Sequence, residues 1–179
     1  MYGHQNAHST ENLSFPSKWH QMERQWTLPA KLPSLSTREA IADAAYRCAL
    51  SFDMADMDLF ESSFTQDAVF DLNGSVMSGI PEIRAGCFDR VSRLDTTHFV
   101  NNIRISHKEG DLTATLTASA LAQHIRTGEG IKQDASRFLG GSFWWADLVM
   151  DETDGLWKAK KFTLKVVWAE GDSGVMSGS

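Results

Sequence analysis

The residues of this chain best placed to do chemistry are one carboxylate and two imidazoles. Asp53 falls in Ser51-Phe52-Asp53-Met54-Ala55-Asp56-Met57-Asp58-Leu59, where a strongly patterned helix stops. It follows Ala49 by four residues and so continues the apolar stripe of that helix. A carboxylate in such a position must stay hydrated, find a partner or serve a reaction. The candidate partners are distant: His98 in Thr96-Thr97-His98-Phe99-Val100 and His124 in Ala122-Gln123-His124-Ile125. An aspartate beside a histidine fixes the tautomer of the ring and stabilises the imidazolium formed when the ring takes a proton. In a dry pocket that histidine is a competent base near neutral pH. We therefore expect the three groups to share one pocket, with His98 as general base, Asp53 as its orienter and His124 as general acid or oxyanion donor. Such a set suits removal of a proton beside a carbonyl, followed by loss of water, double-bond migration or ring closure.

The elements that must position these groups can be read from periodicity. Ser36-Thr37-Arg38-Glu39 is a capping box opening the helix. Ile41, Ala44, Ala45, Cys48, Ala49 and Phe52 then form one stripe, and Tyr46, seven residues before Asp53, looks the same way and could donate to a substrate oxygen. Asp56 caps a short second helix. Asn73-Gly74 predicts a tight hairpin, and Pro81 suits the first turn of a third helix with Ile83, Cys87, Val91 and Leu94 on one side. From residue 97 the period becomes two. His98, Val100, Asn102 and Arg104 share a face of one strand, which makes Asn102 a pocket candidate and puts Arg104 at the rim. On the next strand Leu112, Ala114, Leu116, Ala118, Ala120, Ala122 and His124 form a row of mostly small residues, as a cavity wall would. A last antiparallel pair, 137–150 and 156–170, alternates imperfectly and predicts a bulge in each strand. Its Trp and Phe residues are mostly core, with one or two forming an aromatic pocket wall. Helices first and long antiparallel strands afterwards predict an α+β fold with helices laid on one face of a curved sheet.

Length and composition bound the remaining classes. A chain of 179 residues suits one domain. Three segments are expected: an arm over 1–35, with Trp19, Met22 and Trp26 on one side of a short helix, a domain over 36–172 and a frayed Gly/Ser-rich tail over 173–179. A net charge of -6 with no basic cluster beyond Lys158–Lys161 argues against nucleic acid or an anionic membrane as partner. Cys48 and Cys87 lie on apolar helical rows and are expected to be buried, unreactive thiols. The first residues lack the pattern of a secretory signal and no apolar run reaches the ~20 residues of a membrane span, so a cytoplasmic location is expected. There is no GxGxxG after a strand, P-loop or GxSxG elbow, and no cofactor is expected.

From Ser36 to Asp172 this order of elements resembles the nuclear-transport-factor-2-like superfamily, and three local matches point to its SnoaL-like and scytalone dehydratase-like members. The matches are the helix end around Asp53, the segment Thr97-His98-Phe99, and His124 at the end of the next long strand. The resemblance implies a cone-shaped α+β barrel, in which about three helices and a bent, mostly antiparallel sheet enclose a pocket, with Asp53, His98 and His124 catalytic. It also implies a pocket lined by Phe52 and Leu72, where the dehydratase carries tyrosines, and by Ser142 and Trp144 at or near a polar pair on the penultimate strand. Only Tyr2 and Tyr46 exist in the chain, so the dyad carries over and the dehydratase substrate does not.

The function expected is a dehydratase, isomerase or cyclase acting without a cofactor on a small cyclic or polyketide-like secondary metabolite. The competing readings are a non-catalytic binding or assembly module, a 2-His-1-carboxylate iron site, and an epoxide-opening site using Asn102 and Arg104. An open cone has an exposed sheet face to protect, which predicts a homodimer or homotrimer.

Overall fold

The structure, a computed structural model, describes residues 29–177. The expected helix around Trp19, Met22 and Trp26 lies outside the described residues. Helix α1 (Thr37–Asp53) opens with the predicted capping box, in which the Glu39 amide donates to Ser36 Oγ and the Ser36 amide to the Glu39 carboxylate. Its stripe is buried from Ile41 to Phe52. The chain breaks at Ala55, whose φ of 52° ends one helix and frees Asp56 to cap α2 (Met57–Ser63) by accepting from the Leu59 amide at 2.9 Å.

Strands β1 (Phe64–Leu72) and β2 (Ser75–Ser78) pair across Asn73-Gly74, whose φ values of 53° and 90° are the left-handed pair a two-residue hairpin of this twist requires. A third helical stretch follows over 79–91: α3 (Gly79–Ile83), a π-helical turn Arg84–Phe88, and α4 (Asp89–Val91). Then come β3 (Asp95–Ser106), β4 (Thr113–Ile125), β5 (Arg137–Asp151) and β6 (Leu156–Gly171). The sheet order is β2-β1-β6-β5-β4-β3. Every neighbouring pair is antiparallel except β1 and β6, so the sheet is mixed. It is open, with β2 and β3 at its edges. The helices pack on one face, the α+β arrangement that the order of elements predicts. Among the described residues no helix is long and apolar enough to cross a membrane.

Four details differ from the periodicity reading. First, β3 and β4 slip in register between Asn101 and Arg104, and Asn102 takes a φ of 54°. One extra residue there reverses the parity of β3, so that His98 and Val100 face inward before the bulge and Ile103 and Ile105 after it. Second, the β5–β6 pairing carries two irregularities, and in both the extra residue belongs to β6; β5 alternates cleanly from Ser142 to Leu148. Third, the alanine row of β4 is divided. Leu116, together with Ala44, Ala45 and Cys48 of α1, closes onto a void of only about 10 Å³, so the helix fills that end. Fourth, the segment after Asp172 is a 3-10 turn (Ser173–Ser177) docked through Val175, which is fully buried, where the Gly/Ser content predicts fraying.

A buried arginine ties the layers together. The Arg47 guanidinium, 3% exposed, pairs with Asp43 at 2.8 Å, donates to both the carbonyl and hydroxyl of Ser62, and donates to the Trp157 carbonyl at 2.6 Å. It bolts α1 to the end of α2 and to β6. The described end of the arm lies at the β5–β6 hairpin, where Lys31 Nζ donates to the Asp154 carbonyl at 2.8 Å.

Candidate active site

Between the helices and the inner face of the sheet is a cavity of about 350 Å³, towards the small end of the ~300–1,000 Å³ usual for ligand pockets. His98 from β3 and His124 from β4 both line it. Thr96 pairs with His124 and His98 with Ala122, so the two histidines sit two residues apart on the paired strands and share a face. Their rings stand edge to face with centroids 5.4 Å apart.

Asp53 stands behind His98. One carboxylate oxygen meets His98 Nδ1 at 2.7 Å and the other accepts the His98 main-chain N–H at 2.8 Å. An ionised carboxylate can only accept, so Nδ1 carries the proton and Nε2 is the basic nitrogen. The pair is nearly buried, with side chains 12% and 13% exposed. Gripping ring and backbone at once leaves the imidazole little freedom to turn. Asp53 does not itself line the cavity; it borders an outer groove with Thr96 and Thr97. The three sequence-predicted groups therefore converge as a relay, with two histidines at the cavity and the acid one hydrogen bond behind.

His124 is 6% exposed and its Nδ1 has no hydrogen-bond partner. Burial, reinforced by the neighbouring His98, pushes its pKa down to about 4, against smaller opposing effects from the Phe138 backbone and the charge on Asp53. At neutral pH the ring is uncharged. An uncharged ring can offer an N–H to a developing oxyanion, the second of the two roles expected for it.

Of the expected pocket residues, Phe52, Leu72, Ser142 and Trp144 line the cavity. Ser142 Oγ accepts from Trp144 Nε1 at 3.0 Å, which fixes the indole as a wall. Two others do not reach it. Tyr46 is 44% exposed because it lies off the shoulder of the α1 stripe that its spacing places it on. Asn102 is turned out by the bulge, and its amide donates to Ser119 Oγ at 2.7 Å. Arg104 is exposed as well, so the epoxide-opening set is not assembled at the cavity.

Other groups at the cavity escaped the sequence reading: Arg90, Phe138 and Met176. Arg90 lies three residues after Cys87 and beside Val91, a flank of the apolar stripe that reads as solvated; nothing in the tail marked Met176. Cys48 and Cys87 also line the wall, but burial pushes both thiols up, Cys87 to about 11 and Cys48 further, so neither is a thiolate. Among the described residues no group of three or more His, Cys, Asp and Glu is placed to hold a metal ion. Both Asp53 oxygens, one of which a 2-His-1-carboxylate site would use, are engaged by His98.

The family model of the SnoaL-like domain matches residues 33–163. Terrestric acid biosynthesis cluster protein E of Penicillium crustosum is 47% identical over 146 residues, covering 81% of this chain and 93% of that protein. Two solved structures from Novosphingobium aromaticivorans superpose with a TM-score of 0.64 each. One, described as a candidate aromatic ring hydroxylase, is 25% identical and the match covers 78% of this chain and 95% of that one. The other, described as a candidate scytalone dehydratase, is 17% identical with 75% and 87% covered, a likeness of fold. With residues 33–163 matched by the family model and a 47% identical relative covered over 93% of its length, this chain belongs to the SnoaL-like domain family.

Proposed function

We propose that this protein is a lyase or isomerase of secondary metabolism that works by acid/base chemistry without a cofactor. Its substrate is a small cyclic or polyketide-like molecule held in the aromatic cavity. His98 Nε2 removes a proton beside a carbonyl, while Asp53 stabilises the imidazolium that results. His124 donates an N–H to the enolate oxygen, a role a neutral ring performs without being drained of a proton. His98 then returns its proton to a leaving hydroxyl, giving dehydration, or to a different carbon, giving isomerisation; in a closure the enolate carbon attacks a second carbonyl of the same molecule and His98 protonates the alkoxide so formed.

The observation that carries this reading is the 2.7 Å contact of His98 Nδ1 with Asp53, on a ring that faces an apolar cavity. Relatives support it: the Penicillium crustosum protein is named for a biosynthetic cluster, and one structural neighbour for a dehydratase.

The test is exchange of the α-protons of a cyclic ketone, 1-tetralone, in deuterated water, followed by proton NMR. The wild type is expected to accelerate exchange, and His98→Ala and Asp53→Asn to lose about 10²–10⁴-fold of that rate while keeping native circular dichroism. Exchange at equal rates in wild type and His98→Ala would sink the proposal and leave a binding cavity only.

A further inference from the structure

Arg90 is the one permanently charged side chain lining the catalytic cavity among the described residues. Its neighbours there are almost all apolar, including Phe52, Phe138, Val91 and Met176. The residue is exposed and also borders an outer groove with Arg93 and Arg126, so it stands where the cavity opens to solvent. The acids nearby are engaged elsewhere: Asp89 pairs with Arg84 at 3.1 Å and Asp172 with Arg126 at 3.5 Å. Among the described residues the Arg90 guanidinium has no hydrogen-bond or ion-pair partner. The cavity also holds His124, almost fully buried, with its unpartnered Nδ1. An apolar chamber with an unpaired cation at its mouth fits a ligand with an apolar body and one anionic group.

We propose that the substrate is a carboxylate, with its anionic group anchored by Arg90 at the mouth and its apolar ring body inserted towards His98 and His124. This rests on reading the cavity as the substrate site. A guanidinium fork matches a carboxylate in two parallel hydrogen bonds. Holding the anion at the rim leaves it partly hydrated, which avoids the cost of carrying a charge into the chamber. The carbon that loses its proton is then at the end of the molecule remote from the carboxylate. A dianionic phosphate fits less well, because Arg90 sits in the last turn of the helical stretch 79–91, where the backbone presents carbonyls and not N–H donors. The neighbouring Arg93 and Arg126 add a positive approach to the mouth and exclude cationic substrates.

The test compares 2-naphthoate with its neutral counterpart 2-naphthamide by isothermal titration at neutral pH. The wild type is expected to bind the carboxylate about tenfold more tightly than the amide, a preference that shrinks as salt is raised. Arg90→Gln is expected to bind both alike with the amide affinity unchanged, and Arg90→Lys to keep part of the preference. His98→Ala, which should lose α-proton exchange, is expected to retain the preference for the carboxylate. Failure of the catalytic reading therefore leaves this result standing, and the reverse holds too. Equal affinities in the wild type, no binding of 2-naphthoate, or a preference that survives in Arg90→Gln would each overturn the proposal, the last by placing the anion on the histidines.

Discussion

At the scale of single residues, the two histidines differ because their surroundings differ. His98 has a carboxylate on Nδ1, whereas His124 has a buried ring and a neighbouring imidazole in place of a counter-charge. The consequence for His124 is a stability effect with a definite sign. Its pKa falls from 6.5 to about 4 on folding, so between those values the unfolded chain binds the proton that the native chain refuses. The stability this implies is complete above about pH 6.5 and is lost as the pH falls towards 4, a loss on the order of 3 kcal/mol. Urea unfolding at pH 7 and pH 4.5 should show that drop in the wild type and a shallower one in His124→Gln. Equal slopes would mean that the ring is not held neutral by burial. Both histidines and Asp53 were legible in the sequence because residue type and position relative to a stripe or strand parity suffice to nominate them. Tyr46 was misplaced for the same reason: spacing gives an angle about the helix axis, not the width of the face that the neighbours cover.

At the scale of elements, irregularities decided what reaches the cavity. The single extra residue at Asn102 keeps His98 inside while turning Asn102 out, and a strict period of two could not anticipate it. Arg47 is the clearest case of an element-level contact hidden from the sequence. It lies between Tyr46 and Cys48 as one charged residue of an amphipathic helix, yet three of its nitrogens are used at the meeting point of α1, α2 and β6. Arg47→Ala strands Asp43 and two buried carbonyls, and we expect it to cost about 3–5 kcal/mol in equilibrium unfolding. Arg47→Lys, which cannot reach all the partners at once, should recover only part of this. A loss below about 1 kcal/mol for the alanine variant would show that water replaces the guanidinium there.

At the scale of the whole molecule, the helices among the described residues cover only one face of the sheet. Paired residues place Phe99 beside Leu121, Leu121 beside Gly141, and Gly141 beside Trp168, all on the outer face with Phe143 and Trp145. Phe143, Trp145 and Trp168 are 48%, 44% and 49% exposed. A contiguous aromatic patch of this kind is uncommon on a monomer. We propose that further copies of the chain cover it in a homodimer or homotrimer. Light scattering on a sizing column should return a multiple of the chain mass of 19.9 kDa, and Trp145→Glu should shift it to the single mass without loss of secondary structure. A wild type that runs as a monomer at tens of micromolar overturns this.

The chain's own residues settled the order of helices and strands, the capping box, the Asn73-Gly74 turn and the identity of the catalytic candidates. Each of these depends on neighbours within a few residues or on a simple period. That β1 pairs parallel with β6, where β3 and β6 gain their extra residues, that Val175 docks the tail, and that Arg90 stands at the cavity mouth were decided only by tertiary structure. Those outcomes depend on register and on packing between segments far apart in sequence, and local pattern carries no record of either.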